Sequence, residues 1–147
     1  MCSIKKENIW VTDMDLARLA VYVIGIPVID SEHLEHAILI KELYNLAMSG
    51  NNAKDTLTKI ELSLKTHIKH EEDIMEKMGY PFLEEHKKEH IALLNDFYSI
   101  NVEYVDNYFK ISIYSANEIF QQLLRHIDTS DTKLGDYYNK KDHGNGL

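Results

Sequence analysis

Residues 67–90 read H-I-K-H-E-E-D-I-M-E-K-M-G-Y-P-F-L-E-E-H-K-K-E-H, and their spacing decides the fold. Two pairs four residues apart, His67 with Glu71 and His86 with His90, flank the turn Gly79-Tyr80-Pro81. On an α-helix a four-residue step turns the side chain by only about 40°, so each pair shares one face. Two helices folded back across so short a turn bring imidazoles and a carboxylate to one point inside a bundle. Bundles build their metal sites in this way.

Working outward, the spacing predicts a first helix from Asp30 or Ser31, either a good N-cap, with His33, His36, Ala37, Ile40, Leu43, Tyr44 and Ala47 along one stripe and Gly50 as its stop. A second helix, capped by Asn51 or Asn52, turns Leu57, Ile60, Leu64, His67, Glu71, Ile74 and Met78 inward and Lys59, Thr66, Asp73 and Lys77 outward. Gly79 ends it, and Pro81 suits the first turn of a third helix carrying Leu83, His86, His90, Leu93, Leu94 and Phe97 on one face. That helix is expected to fade near Asn101. A fourth is expected from about Asp106 or Asn107, with Ile111, Ser115, Ile119, Leu123 and His126 inward.

No strand-like alternation is long enough to argue for a sheet. The expected fold is therefore all-α: an up-down-up-down four-helix bundle in one domain over residues 1–147. Residues 1–29, interrupted by Gly25 and Pro27, read as an extended N-terminal arm whose Trp10, Tyr22 and Val23 pack on the bundle. Residues 30–138 form the core and 139–147 a polar tail.

Composition narrows the function. An apolar share of 44% over 147 residues suits one globular core, and a formal charge of −8 offers no basic surface for nucleic acid or anionic membranes. Cys2 is the sole cysteine, so no internal disulfide forms and a reducing compartment is implied. The apolar run from Leu19 to Ile29 is too short to span a bilayer and lacks the features of a secretory signal. The expected location is the cytoplasm.

Eight histidines are the unusual feature. One histidine on an apolar stripe is usually an ordinary core residue, but His33, His67, His86, His90 and His126 all face inward from four helices, with Glu71 beside them. Burying them without a cation or partners costs several kcal/mol, so the pattern favours a metal. Asp131 follows His126 by five residues, a rotation of about 140° on a regular helix. Both reach one site only where the helix widens or ends between them, which predicts a local distortion. His70 falls on the solvated stripe, His143 lies in the tail, and His36, rotated by about 60° from His33, suits hydrogen bonding around the ligands better than ligation.

Taken together, His33, His67, Glu71, His86, His90, His126 and Asp131 resemble the ligand set of the hemerythrin family, specifically its single-domain bacterial members. The resemblance runs from about Gly25 to Tyr138. It is carried by G-I-P-V-I-D-S-E-H around His33, H-x-x-x-E-E-x-x-M around Glu71, the Gly79-Tyr80-Pro81 turn and L-x-x-H-I-x-x-x-D around His126. It implies a non-haem pair of iron ions with an oxo or hydroxo bridge. His86, His90 and His126 would hold one iron, His33 and His67 the other, and Glu71 and Asp131 would join both. The iron with two histidines keeps an open position. Ligand type alone would also accept zinc, manganese or cobalt.

The function so implied is reversible O2 binding for storage, delivery or sensing by a monomer that is not an enzyme. Sensing would require a separate signalling or redox partner. Leu123 and Ile68 would wall the ligand pocket. Gln122 and His36 stand where relatives often carry Trp and Leu, which puts polar groups near the second iron. The alternatives are a di-iron enzyme reducing peroxide or nitric oxide, or an iron store.

Overall fold

The computed structural model describes residues 23–146, with side chains to residue 141. Four helices make the body: α1 (Pro27–Ser49), α2 (Lys54–Lys77), α3 (Leu83–Tyr98) and α4 (Ile113–His126). Helix α1 packs on α2 and α4, and α3 packs on the same two, so the four close a ring around a common core. A π-helical turn, Ile127–Asp131, joins α4 to α5 (Thr132–Gly146) as continuous helical backbone. The helical bundle expected from the sequence is present.

Helix α1 begins three residues earlier than expected. Pro27 occupies its first turn, where the lost N–H costs nothing, and Asp30 lies inside the helix. The Asp30 carboxylate instead reaches back to accept from the Ile24 and Gly25 N–H groups at 2.8 and 3.3 Å, which fixes the entry of the chain. Gly50, at φ +70°, ends α1 in the left-handed conformation. Ala53 rather than an asparagine occupies the cap position of α2, although Asn52 Oδ1 accepts from Lys54 N at 3.2 Å. Within α2, Met75 is fully buried one turn after Glu71, while Ile74 and Met78, expected inward, are half-buried. Pro81 sits in the turn ahead of α3, which starts at Leu83.

The region expected to open the fourth helix is a β-hairpin. Strands β1 (Val102–Val105) and β2 (Tyr108–Ile111) pair antiparallel, Val102 opposite Ile111 and Val105 opposite Tyr108. Asp106 and Asn107 take φ of 50° and 66°, the two left-handed positions that a tight two-residue hairpin turn requires and that these residue types tolerate. Asn52 Oδ1 accepts from Phe109 N at 2.9 Å and Ala53 N donates to Phe109 O at 2.8 Å, tying the hairpin to the α1–α2 connection. Ser112 then caps α4 by accepting from Ser115 N at 3.1 Å.

Residues 139–147, expected as a polar tail, continue α5 as far as Gly146. Trp10 and Tyr22 of the expected arm lie outside the described residues, and Val23 is 70% exposed rather than packed. Among the described residues no helix is long and apolar enough to cross a membrane.

Two apolar clusters divide the interior. The larger runs from Ala37, Ile40 and Leu43 through Ile60 and Leu64 to Ile119, Phe120, Leu123 and Ile127. The smaller joins Ile24, Ile26, Ile29, Met75, Tyr80 and Leu134. Here the segment before α1 crosses α5 at Gly135, where an added Cβ would lie 2.3 Å from Ile24 O. Asn139 Nδ2 donates to that same oxygen at 3.0 Å. His33, His67, His86 and His90 each fall, in sequence, between residues of the two clusters, while His126 is flanked by Leu124 and Ile127 of the larger one.

Candidate metal centre

Two carboxylates, Glu71 from α2 and Asp131 from the π turn, are wholly buried and organise the site. Five imidazoles turn Nε2 toward them. Glu71 Oε1 lies 2.6 Å from His86 Nε2 and 2.9 Å from His90 Nε2, while its Oε2 faces His67 Nε2 at 3.4 Å. Asp131 Oδ1 lies 3.1 Å from His126 Nε2 and 3.2 Å from His86 Nε2, while its Oδ2 lies 3.1 Å from His33 Nε2 and 3.8 Å from His67 Nε2. Each carboxylate thus turns one oxygen to a three-histidine group and the other to a two-histidine group. Both carboxylates are therefore shared between the two groups of imidazoles.

Among the described residues the donor atoms gather into two groups that could hold a metal: Glu71, His86, His90, His126 and Asp131 in one, and His33, His67 and Asp131 in the other. The fit of a cation to each is chemical as well as geometric. Glu71 Oε2, His86 Nε2, His126 Nε2 and Asp131 Oδ1 are buried without a well-formed hydrogen bond, although a donor or acceptor stands close by. Buried polar atoms seldom remain unsatisfied, and metal coordination satisfies such atoms together.

The protonation pattern points the same way. Burial opposes charge on His67, but hydrogen bonds to Asp131 and Glu32 and the charge of Glu71 push it up to about 10. Burial likewise opposes charge on His86, and hydrogen bonds to Asp131 and Glu71 push it up to about 9. Asp131, raised by burial, is nevertheless pulled well below its ordinary range by the charge and hydrogen bond of His126 and by hydrogen bonds from His33 and His67. Burial and the Asp131 charge raise Glu71, but the hydrogen bonds of His86 and His90 leave it below 4.5. Protons on His67 and His86 occupy the role that a cation would take.

The π turn explains how His126 and Asp131 meet. A wider helical turn removes most of the rotation that a regular helix would put between residues five apart, so both side chains enter the site. Thr132 Oγ1 donates to Ile127 O at 2.7 Å across this turn and helps satisfy the displaced ladder.

Sequence reasoning missed two carboxylates outside the ligand groups. His67 Nδ1 bonds Glu32 Oε1 at 3.1 Å, and His90 Nδ1 bonds Glu72 Oε2 at 2.8 Å. Such partners fix the tautomer and direction of a ligating ring. Their only signal was adjacency, since Glu32 precedes His33 and Glu72 follows Glu71. Glu32 also accepts from His70, which is 44% exposed as its outward stripe predicts.

The remaining expected residues separate. His36 is buried, 5.2 Å between ring centres from His67, and belongs to neither donor group. Burial, reinforced by the charges of His67 and His33, pushes it down to about 3. Gln122 lines a surface pocket with Glu89, Asp96, Arg125 and His126, which puts it beside a histidine of the first donor group. It shares a helix face with His126, four residues on, at the α3–α4 flank. Leu123 is buried in the larger apolar cluster, whereas Ile68 is half-buried and belongs to neither cluster.

A family model described as the hemerythrin HHE cation binding domain matches residues 24–138. The chain belongs to the hemerythrin family, and its buried His, Glu and Asp cluster fits a metal centre. Neither a curated protein nor a solved structure matched the chain.

Proposed function

We propose that this protein binds dioxygen reversibly at a pair of irons held by His33, His67, Glu71, His86, His90, His126 and Asp131, and that it is a carrier, store or sensor rather than an enzyme. The observation that carries this reading is the division of each buried carboxylate between a donor-rich and a donor-poor group. Glu71, His86, His90, His126 and Asp131 would serve one metal, and His33 and His67 with the far oxygens of Glu71 and Asp131 the other, which would leave the second with room for a small ligand. Two ferrous ions, when bound, supply the two electrons that reversible uptake of O2 requires.

The chain supplies the rest. Glu71 and Asp131 would hold both metals, and Glu32 and Glu72 fix the rings of His67 and His90 that would ligate them. The two apolar clusters, with Leu123 in one and Met75 in the other, keep bulk water from the centre. An up-down-up-down course of the helices accounts for this convergence. It is supported by Thr56, near the start of α2, bonding Glu42, toward the end of α1, while Glu32, near the start of α1, reaches His67, toward the end of α2.

The decisive experiment is the visible spectrum of the anaerobically reduced, iron-loaded protein, taken before air, after air and after deoxygenation. A charge-transfer band that appears in air and vanishes on deoxygenation is expected. Irreversible conversion to a ferric spectrum, with turnover of peroxide or nitric oxide, would sink the carrier reading in favour of a di-iron reductase. The buried imidazole of His36 is the one observation that favours that second reading. Metal analysis is expected to give two irons per chain, which separates both readings from bulk storage.

A further inference from the structure

His36 is 2% exposed, and neither of its ring nitrogens makes a well-formed hydrogen bond, the backbone of Ser63 standing only as a weak partner. An imidazole buried in this state forfeits the hydration of two polar atoms, a cost that a core leucine of similar size would avoid. The ring stands edge-on to His67 at 5.2 Å and tilted to His33 at 6.4 Å, and the backbone of Ser63 on α2 exerts only a weak favourable pull on it. It therefore lies on the donor-poor side of the centre. Its nitrogens nevertheless stand outside the group of atoms, all within 4.8 Å of one another, that His33, His67 and Asp131 form.

We infer that His36 is a positioning residue for the small ligand of the two-histidine metal, donating a hydrogen bond from its ring N–H to that ligand. This rests on the proposed reading in one respect, that the donor-poor metal accepts an exogenous ligand. The geometry supplies the rest. A side chain outside the donor group, beside His33 and His67 and without a well-formed hydrogen bond of its own, is placed to meet a ligand that extends outward from the metal. Three-atom anions and dioxygen carry an acceptor atom beyond the one that binds. The effect is selective: ligands with a distal acceptor gain a hydrogen bond, and ligands without one meet an unsatisfied polar ring.

Azide is the probe, added to the oxidised, iron-loaded full-length protein and followed by its charge-transfer band and its antisymmetric stretching vibration. His36→Leu keeps the side-chain volume and removes the donor, and His36→Gln restores an N–H. Azide is expected to bind His36→Leu roughly tenfold more weakly than the parent, as loss of one hydrogen bond implies, with the vibration displaced. His36→Gln is expected to recover most of the affinity. Equal affinity and an unmoved vibration in His36→Leu would overturn the assignment. So would loss of one iron equivalent in that variant, which would make His36 a ligand, or a parent protein that binds no azide. Failure of reversible O2 binding while azide binding still depends on His36 would refute the carrier reading and leave this assignment standing.

Discussion

Asp131 is the one side chain common to both donor groups among the described residues, so Asp131→Asn tests the centre at its joint. The substitution keeps the shape of the side chain, removes its charge and turns one acceptor into an NH2. Without Asp131 the first group retains Glu71, His86, His90 and His126, while the second retains His33 and His67, helped only by Glu71 Oε2 at 3.4 Å from His67. Metal content after anaerobic iron loading and desalting is therefore expected to fall from two per chain to one. The metal-free protein is expected to suffer as well. In it, the Asp131 carboxylate lies 3.1 Å from the Nε2 atoms of both His33 and His126, and removing one member of a buried charged set costs about 3–5 kcal/mol. For a domain of this size that lowers the melting temperature by about 10 °C.

The sign of the pH dependence follows from the depressed carboxyl. Its contribution is complete above its ordinary value of 3.8 and disappears as pH falls through the lower folded value, so parent and variant converge only in strong acid. Calorimetry of the metal-free pair at neutral pH, together with iron analysis of the loaded pair, checks both limbs. An Asp131→Asn protein that retains two irons and melts within a degree of the parent would refute this account of the site.

Because His67 and His86 are pushed up to about 10 and about 9, iron must displace their protons, and apparent iron affinity is expected to rise between pH 7 and 9 with measurable proton release. A chelator competition that gives a flat profile contradicts this. In the metal-free protein the same two rings stabilise fully below 6.5 and lose that contribution as pH rises through 9 to 10, so its melting temperature is expected to drop across that window. Glu72→Ala removes the acceptor of His90 Nδ1 and is expected to weaken iron binding about 10–100-fold; unchanged affinity in the same competition assay would remove Glu72 from the centre. Gly135→Ala places a methyl 2.3 Å from Ile24 O and is expected to destabilise by about 1–3 kcal/mol, despite alanine's helix preference, and a melting temperature at or above that of the parent would deny the close crossing.

The inward stripes were legible because metal-centre residues obey the same helical period as the core around them. His33, Ile40 and Leu43 follow one rule, and burial does not distinguish them. The spacing of His126 and Asp131 was informative for the opposite reason, since a five-residue gap is incompatible with a regular helix and so announces a distortion. The hairpin was opaque. Its strands are four residues long, most of their side chains are exposed or half-buried, and they show no sustained alternation of buried and exposed positions. Its clearest signal, Asp106-Asn107, is also an acceptable start for a helix, and Ser112 was the actual cap. Glu32, Glu72 and Gln122 illustrate a further limit. A period shows which face a residue occupies, but a boundary position half-way round the helix is assigned only by the neighbour packed against it.

The π turn and the contact between His33 and Asp131 also bear on assembly. These two residues are 98 positions apart, and Asp131 joins the two halves of the centre. A growing chain emerging from its N-terminus therefore exposes His33, His67 and Glu71 long before it can close the site. Both donor groups become complete only after Asp131 has been made. Loop closure over so long a separation is entropically costly, and the cation that draws these ends together repays part of that cost. Metal capture would thus be a late event in the life of the chain, and a protein starved of metal would lack a cross-link between the first and last helices of its described residues.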